Sequence, residues 1–301
     1  MIKDIRTFED LATTCSEQEK TIYEIFQERE SKLQEIDILD VRAKVKKSLD
    51  AMKDAIKTGL ISREKSISQQ CGDDCVRLDK RFSERPAIFG KSFEKITTYA
   101  LATIEENLRM GKIVACPTAG SCGIVPSVII GISEEYDFDE ETQINALITA
   151  GAIATIISYR IALAGAVAGC QAECGVASAM SAGALTQMFG GNTEQILNAV
   201  ALCLKNIMGL TCDPVAGLVE IPCVKRNPFL AINAVTAYEL AISDIKSKIP
   251  IDEVVDAMMQ TGELMSPMLK ECSQAGLAKT KTALKIEKDL KIYSENSKNT
   301  L

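Results

Sequence analysis

Val41, Val45, Leu49, Met52 and Ile56 recur at intervals of three and four residues, the spacing that lines apolar side chains along one face of an α-helix. Gly59 stands where such a helix would end. Upstream, Ser16 and Glu19 form a capping-box pattern that predicts an amphipathic helix after it. A polar, irregular stretch from 62 to about 91 holds Cys71, Cys75 and the Arg85-Pro86 pair, and a further helix is predicted over 93–110, closed by Gly111. Beyond it the pattern changes: 113–131 and 144–240 are rich in Ala and Gly and carry few charges, which suits helices that approach closely. The longest apolar run, 144–170, is interrupted by Arg160. It reads as a buried core helix, because a mid-bilayer charge is too costly for a membrane span. From Lys279 the charges return and predict a solvated, fraying helical tail. Hairpin signals and internal repeats are lacking. The expectation is an all-α, mostly helical fold with a helical layer over 1–90, a compact central domain over 91–280 and a charged tail over 281–301.

Composition sharpens this picture. Of 301 residues 47% are hydrophobic but only 5% aromatic, with no tryptophan, so small and aliphatic residues carry the core. A formal charge of −7 leaves no electrostatic footprint for nucleic acid and argues against an anionic membrane surface. The opening residues lack the basic and apolar regions of a secretory signal, so the chain is expected in the cytoplasm with its eleven cysteines reduced. Those cysteines are then available for packing, metal or redox roles. Histidine is absent altogether. That removes from this chain every Ser–His or Cys–His catalytic pair and every His-ligated metal site.

Three segments could carry chemistry. CPTAGSCGIVP at 116–126 is a Gly-rich turn leading into an apolar helix, suited to a carboxylate or phosphate at a helix N-terminus, or simply a tight turn with an N-cap. GCQAECG at 169–175 sets Cys170 and Cys174 one helical turn apart, either as ligands or as inert buried thiols. CDPVAGLVEIPCVKRN at 212–227 holds Cys212 and Cys223 beside prolines, with Lys225, Arg226 and Asn227 directly after. That basic cluster demands an anionic partner if buried, or else marks an exposed helix start. Without histidine a transition-metal site must be thiolate-rich, which favours zinc, Cu(I) or an iron–sulfur cluster, and paired C-x-x-C knuckles for zinc are missing. Spacing alone goes no further than a thiolate site with undetermined ligands.

Together these segments resemble the α chain of the two-subunit bacterial iron–sulfur L-serine dehydratases. The resemblance rests on PTAGSCGIVP at 117–126, GCQAECGVASAM at 169–180 and LTCDPVAGLVEIPCVKRN at 210–227, with GGNTEQ at 190–195, KNIMGL at 205–210 and QAGLA at 274–278. It is strong over roughly 70–278 and loose over the N-terminal helices. It implies that Cys170, Cys212 and Cys223, at intervals of 42 and 11 residues, hold a 4Fe-4S cluster with one iron left open to substrate. Cys174 falls where relatives often carry an apolar residue and is assigned to packing, Cys122 belongs to the substrate loop, and Cys116 is neutral.

The implied activity is that of a lyase, an L-serine ammonia-lyase that works without pyridoxal phosphate and eliminates the β-hydroxyl of serine with Lewis-acid help. Thr118, Gly120, Ser121 and Gly123 would cradle the substrate carboxylate, with Lys225, Arg226 and Asn227 close by. The general base is unidentified. The family's β chain carries a Ser-His-Thr motif that this sequence lacks, so an obligate β subunit is expected to contribute to the active site. The weighed alternatives are another iron–sulfur lyase such as an L-cysteine desulfidase, and a non-catalytic iron–sulfur sensor. A pyridoxal-phosphate enzyme is disfavoured, because the order Ser92-Phe93-Glu94-Lys95 does not match its lysine motif.

Overall fold

A computed structural model describes residues 5–298, with side chains as far as 291. Its elements are helices joined by turns. The N-terminal group is α1 (Phe8–Gln18), α2 (Ile22–Gln34) and α3 (Ile38–Ile61), followed by α4 (Asp74–Glu84) and α5 (Gly90–Leu108). Then come α6 (Ile124–Tyr136), α7 (Glu140–Ser158), the single turn α8 (Gly165–Ala168), α9 (Cys170–Met188) and α10 (Thr193–Lys205). The chain closes with α11 (Cys223–Ile242), α12 (Ile251–Leu264) and α13 (Lys281–Lys298). Among the described residues there is no strand, and one isolated bridge pairs Cys212 with Lys270, so the all-α expectation holds.

The centre of the molecule is α9. Every residue of it except Gln187 is buried, and α6, α7, α10 and α11 surround it. Such a helix has no wet face, and its run of Ala, Gly, Ser and Cys lets four neighbours come close. The N-terminal helices belong to the same hydrophobic core: Phe8, Ile22, Phe26 and Leu49 join Ile129, Ile153, Val176 and Val200 in one contiguous cluster.

Several elements differ from the sequence expectation for identifiable reasons. The capping box is at Thr21 and Glu24, which start α2. Ser16 lies inside α1, because Thr7 already caps that helix by accepting from the amide of Asp10 at 3.0 Å. Gly59 does not end α3 but lies buried within its last turns, where a Cβ would stand 2.2 Å from the carbonyl oxygen of Ala102 on α5. The run at 144–170 is not one helix. It breaks after Ser158, where Arg160 leaves the core to pair with Asp252 and Asp256 of α12 at 3.2 and 3.0 Å, and it resumes as α8 and the start of α9. The tail forms α13, whose beginning packs on the turns at 215–217 and 276–279 and buries Ala283. Residues 1–4 of the expected N-terminal layer and 299–301 of the expected tail lie outside the described residues.

Alanine in place of an interior helical glycine ordinarily stabilises a helix by about 1 kcal/mol. At Gly59 the sign should reverse, because the new methyl group meets backbone rather than a movable side chain. Gly59→Ala is expected to lower stability by about 1–3 kcal/mol, read as a reduced denaturation midpoint.

Candidate metal centre

Cys170 and Cys223 are the first residues of α9 and α11, and both thiols are buried. Helix N-termini carry unpaired amides and a partial positive charge, which favour thiolate over thiol. Cys212 reaches the same place from an extended segment. Its amide donates to the carbonyl of Leu269 at 2.8 Å, and its carbonyl accepts from the amide of Glu271 at 2.6 Å. The thiols of Cys174, Cys212 and Cys223 all interact with Cys170. Their hydrogen bonds, with help from Arg226, hold the Cys170 thiol far below its ordinary range. The same contacts with Cys170, together with burial, push Cys174, Cys212 and Cys223 upward. Thiols crowded together in a buried place repel one another as thiolates, and a cation would be needed to hold several of them in that form at once. Cys15 and Cys71 behave differently: burial pushes each up to about 11, and they lie outside this group.

Glu173, one turn after Cys170 on α9, completes the cluster. Its carboxylate oxygen and the sulfurs of Cys170 and Cys212 lie within 4.8 Å of one another, a geometry that can hold a metal ion. Burial pushes the Glu173 carboxyl up to about 7, opposed by a hydrogen bond donated by Thr118 Oγ1 to Oε1 at 2.5 Å. Two glycines leave room for this group. A Cβ at Gly120 would stand 2.5 Å from Oε1, and one at Gly165 would stand 2.8 Å from Oε2 and 3.1 Å from the Cys212 sulfur. Arg226 also borders the pocket, its Nη1 donating to Cys170 Sγ at 3.0 Å and to the Thr211 carbonyl at 2.8 Å. Its Nη2 pairs with Asp213 at 3.2 Å. A cavity of about 900 Å³ opens elsewhere, between α1, α10 and α12, and holds none of these residues.

Residues 17–278 match the family model described as serine dehydratase alpha chain. The chain belongs to that family. It is 38% identical over 288 residues to the probable L-serine dehydratase, alpha chain, of Bacillus subtilis (strain 168), covering 95% of each chain. It is also 38% identical over 285 residues to the L-serine dehydratase, alpha chain, of Peptoniphilus asaccharolyticus, covering 95% of this chain and 98% of that one. A third relative, the L-serine dehydratase of Helicobacter pylori (strain ATCC 700392 / 26695), is 38% identical over 287 residues, which are 92% of this chain but 62% of the relative.

In this serine dehydratase alpha chain the other residues singled out in the sequence divide into two groups. Thr118, Gly120 and Arg226 border the thiol pocket, as their contacts with Glu173 and Cys170 show. The rest brace its walls. Ser121 is fully buried, with its hydroxyl 3.1 Å from that of Thr118 and donating to the Cys116 carbonyl at 3.3 Å. Asn227, also fully buried, donates to the carbonyls of Gly120 and Cys223 at 2.9 and 3.1 Å and accepts from the Gly123 amide at 3.0 Å. One side chain therefore ties the starts of α6 and α11 to the turn between Pro117 and Gly123. Lys225 points the other way, paired with Asp74 and 3.9 Å from the Cys71 sulfur.

Two participants were not singled out in the sequence. Glu173 is the only charged residue between Arg160 and Glu194, three positions after Cys170, and that isolation was its signal. Glu220 gave none: its buried carboxylate accepts from Ser66 at 2.8 Å and from Ser68, locking the loop of Cys212 and Cys223 to a polar segment distant in sequence.

Asn227→Ala would strand the Gly120 carbonyl and the Gly123 amide, and a buried unpaired polar group costs about 1–3 kcal/mol. The variant is expected to lose about 2–4 kcal/mol in chemical denaturation, more than a substitution at exposed Lys248.

Proposed function

We propose that this chain is the cluster-binding catalytic subunit of an L-serine dehydratase, a lyase that converts L-serine to pyruvate and ammonia without pyridoxal phosphate. The observation that carries the reading is the convergence of the Cys170, Cys212 and Cys223 thiols at two helix N-termini, beside Glu173 and Arg226. That the relatives are named L-serine dehydratases supports serine as the substrate over an L-cysteine desulfidase or a sensor.

The donor set fits a 4Fe-4S cluster. It is made of thiols, without histidine, in a buried pocket whose helix ends favour net negative charge. Cys170, Cys212 and Cys223 would hold the cluster, which supplies a Lewis-acidic iron toward the β-hydroxyl leaving group. The chain's own residues do the rest. Arg226 receives the substrate carboxylate, Thr118 and Gly120 shape the pocket around Glu173, and Ser121, Gly123 and Asn227 keep that wall in place. Loss of the α-proton and the β-hydroxyl gives aminoacrylate, which tautomerises and hydrolyses to pyruvate and ammonia. The base that removes the α-proton is assigned to a second polypeptide, the β subunit, because this chain has no histidine. In support, the Helicobacter pylori relative is considerably longer than the part this chain matches. All eleven cysteines are free thiols, and none of the described helices is long and apolar enough to cross a membrane, in keeping with assignment to the reducing cytoplasm.

Serine in place of Cys170, Cys212 or Cys223 should abolish iron retention and serine deamination together, measured by iron analysis and pyruvate release after anaerobic purification. Cys15→Ser and Cys272→Ser should keep both. Retained deamination in an iron-free variant contradicts the reading. The isolated, iron-reconstituted chain should release no pyruvate until the β subunit is added, and full activity from the chain alone would overturn the assignment of the base.

A further inference from the structure

A carboxylate that is buried needs a cation or a dense set of donors, and among the described residues Glu173 has one hydrogen bond and no ion pair, with only the through-space charge of Arg226 in its favour. It is 7% exposed. The hydrogen bond from Thr118 reaches one oxygen, Oε1. Among the described residues no basic side chain forms an ion pair with it: Arg226, whose charge favours its ionised form through space, pairs with Asp213, and Lys225 pairs with Asp74. The other oxygen, Oε2, faces Gly165 and the Cys212 sulfur in the space those residues leave open. No other charged residue lies between positions 160 and 194. An unpaired acid in a small-residue core costs several kcal/mol unless a ligand completes it.

Resting on the serine reading above, we propose that Glu173 is the receptor for the α-ammonium group of the amino-acid substrate and the residue that selects amino acids over hydroxy acids. Of the groups on a zwitterionic substrate, only the ammonium brings the positive charge and the hydrogen-bond donors that Glu173 lacks. The carboxylate end is left to Arg226, which donates to Cys170 Sγ beside the same pocket. The two glycines have a role in this arrangement, since a side chain at Gly120 or Gly165 would fill the space beside either carboxylate oxygen.

The test compares wild type with Glu173→Gln and Glu173→Asp, each as the anaerobically reconstituted complex with the β subunit. Three quantities are read: iron content, the KM for L-serine, and competitive inhibition by 3-hydroxypropanoate, which is serine without its amino group. Glu173→Gln should retain wild-type iron, raise the KM about 10- to 100-fold, the size of a lost charge-assisted hydrogen bond, and leave inhibition by 3-hydroxypropanoate unchanged. Glu173→Asp, which keeps the charge, should show a smaller rise, and it carries the same test if the glutamine variant does not fold. Loss of iron in both variants would make Glu173 a metal ligand and overturn the proposal. Equal weakening of serine and 3-hydroxypropanoate, or an unchanged KM, overturns it as well. A wild-type complex that does not deaminate serine overturns the serine reading and this inference together, whereas an active wild type with an unaffected glutamine variant refutes the inference alone.

Discussion

The positive ends of α9 and α11 meet at one buried pocket, with the start of α6 tied beside them, and that meeting governs what the chain can hold there. Asn227 on α11 binds the amide of Gly123 at the start of α6, and the thiol of Cys223 at the start of α11 touches that of Cys170 at the start of α9. Each helix end favours negative charge by a fraction of a kcal/mol to about 2 kcal/mol, more where water is excluded. Thiolates, an acid and an anionic substrate group can therefore share a space that would otherwise repel them. The site requires that two helices begin at the same point and that a third be braced against them.

That requirement reaches into the composition of the core. Helix α9 can bring Cys170 and Glu173 to the pocket only by running through the middle of the molecule, so its side chains are small and its neighbours close. The loop from Cys212 to Cys223 has no such support of its own. It is held by the bridge between Cys212 and Lys270, by Ser273 donating to the carbonyl of Pro214 at 2.6 Å, by Glu220 with Ser66 and Ser68, and by the packing of α13. The polar segment near residue 66 and the charged C-terminal helix thus share one task, holding the loop of Cys212 and Cys223 in place.

How much of this was readable in the chain depended on whether a segment keeps a wet face. The apolar positions from Val41 to Ile56 do lie on one helix, because α3 is amphipathic. Where burial is complete the period disappears, and the run at 144–170 looked continuous although Arg160 turns it outward to reach α12. Gly59 read as a stop signal because one-dimensional pattern carries no record of α5 pressing against it. At the site, the types of residue were visible but their partners were not. Which cysteines converge came from resemblance rather than spacing, and the thiol of Cys174, assigned to packing, both packs in the core and touches Cys170. Glu173 was overlooked because an acid one turn from a cysteine has no meaning until Thr118 and Cys212 are brought beside it.

The central claim, that these thiols hold an inorganic cluster on which serine elimination depends, is tested most directly by determining iron and acid-labile sulfide in oxygen-free preparations alongside pyruvate release. The predicted result is a brown protein with iron and sulfide in equal amounts, at the stoichiometry of one 4Fe-4S cluster per chain, whose activity with its partner falls in step with iron on chelation. A colourless, iron-free preparation that still deaminates serine at full rate would contradict it.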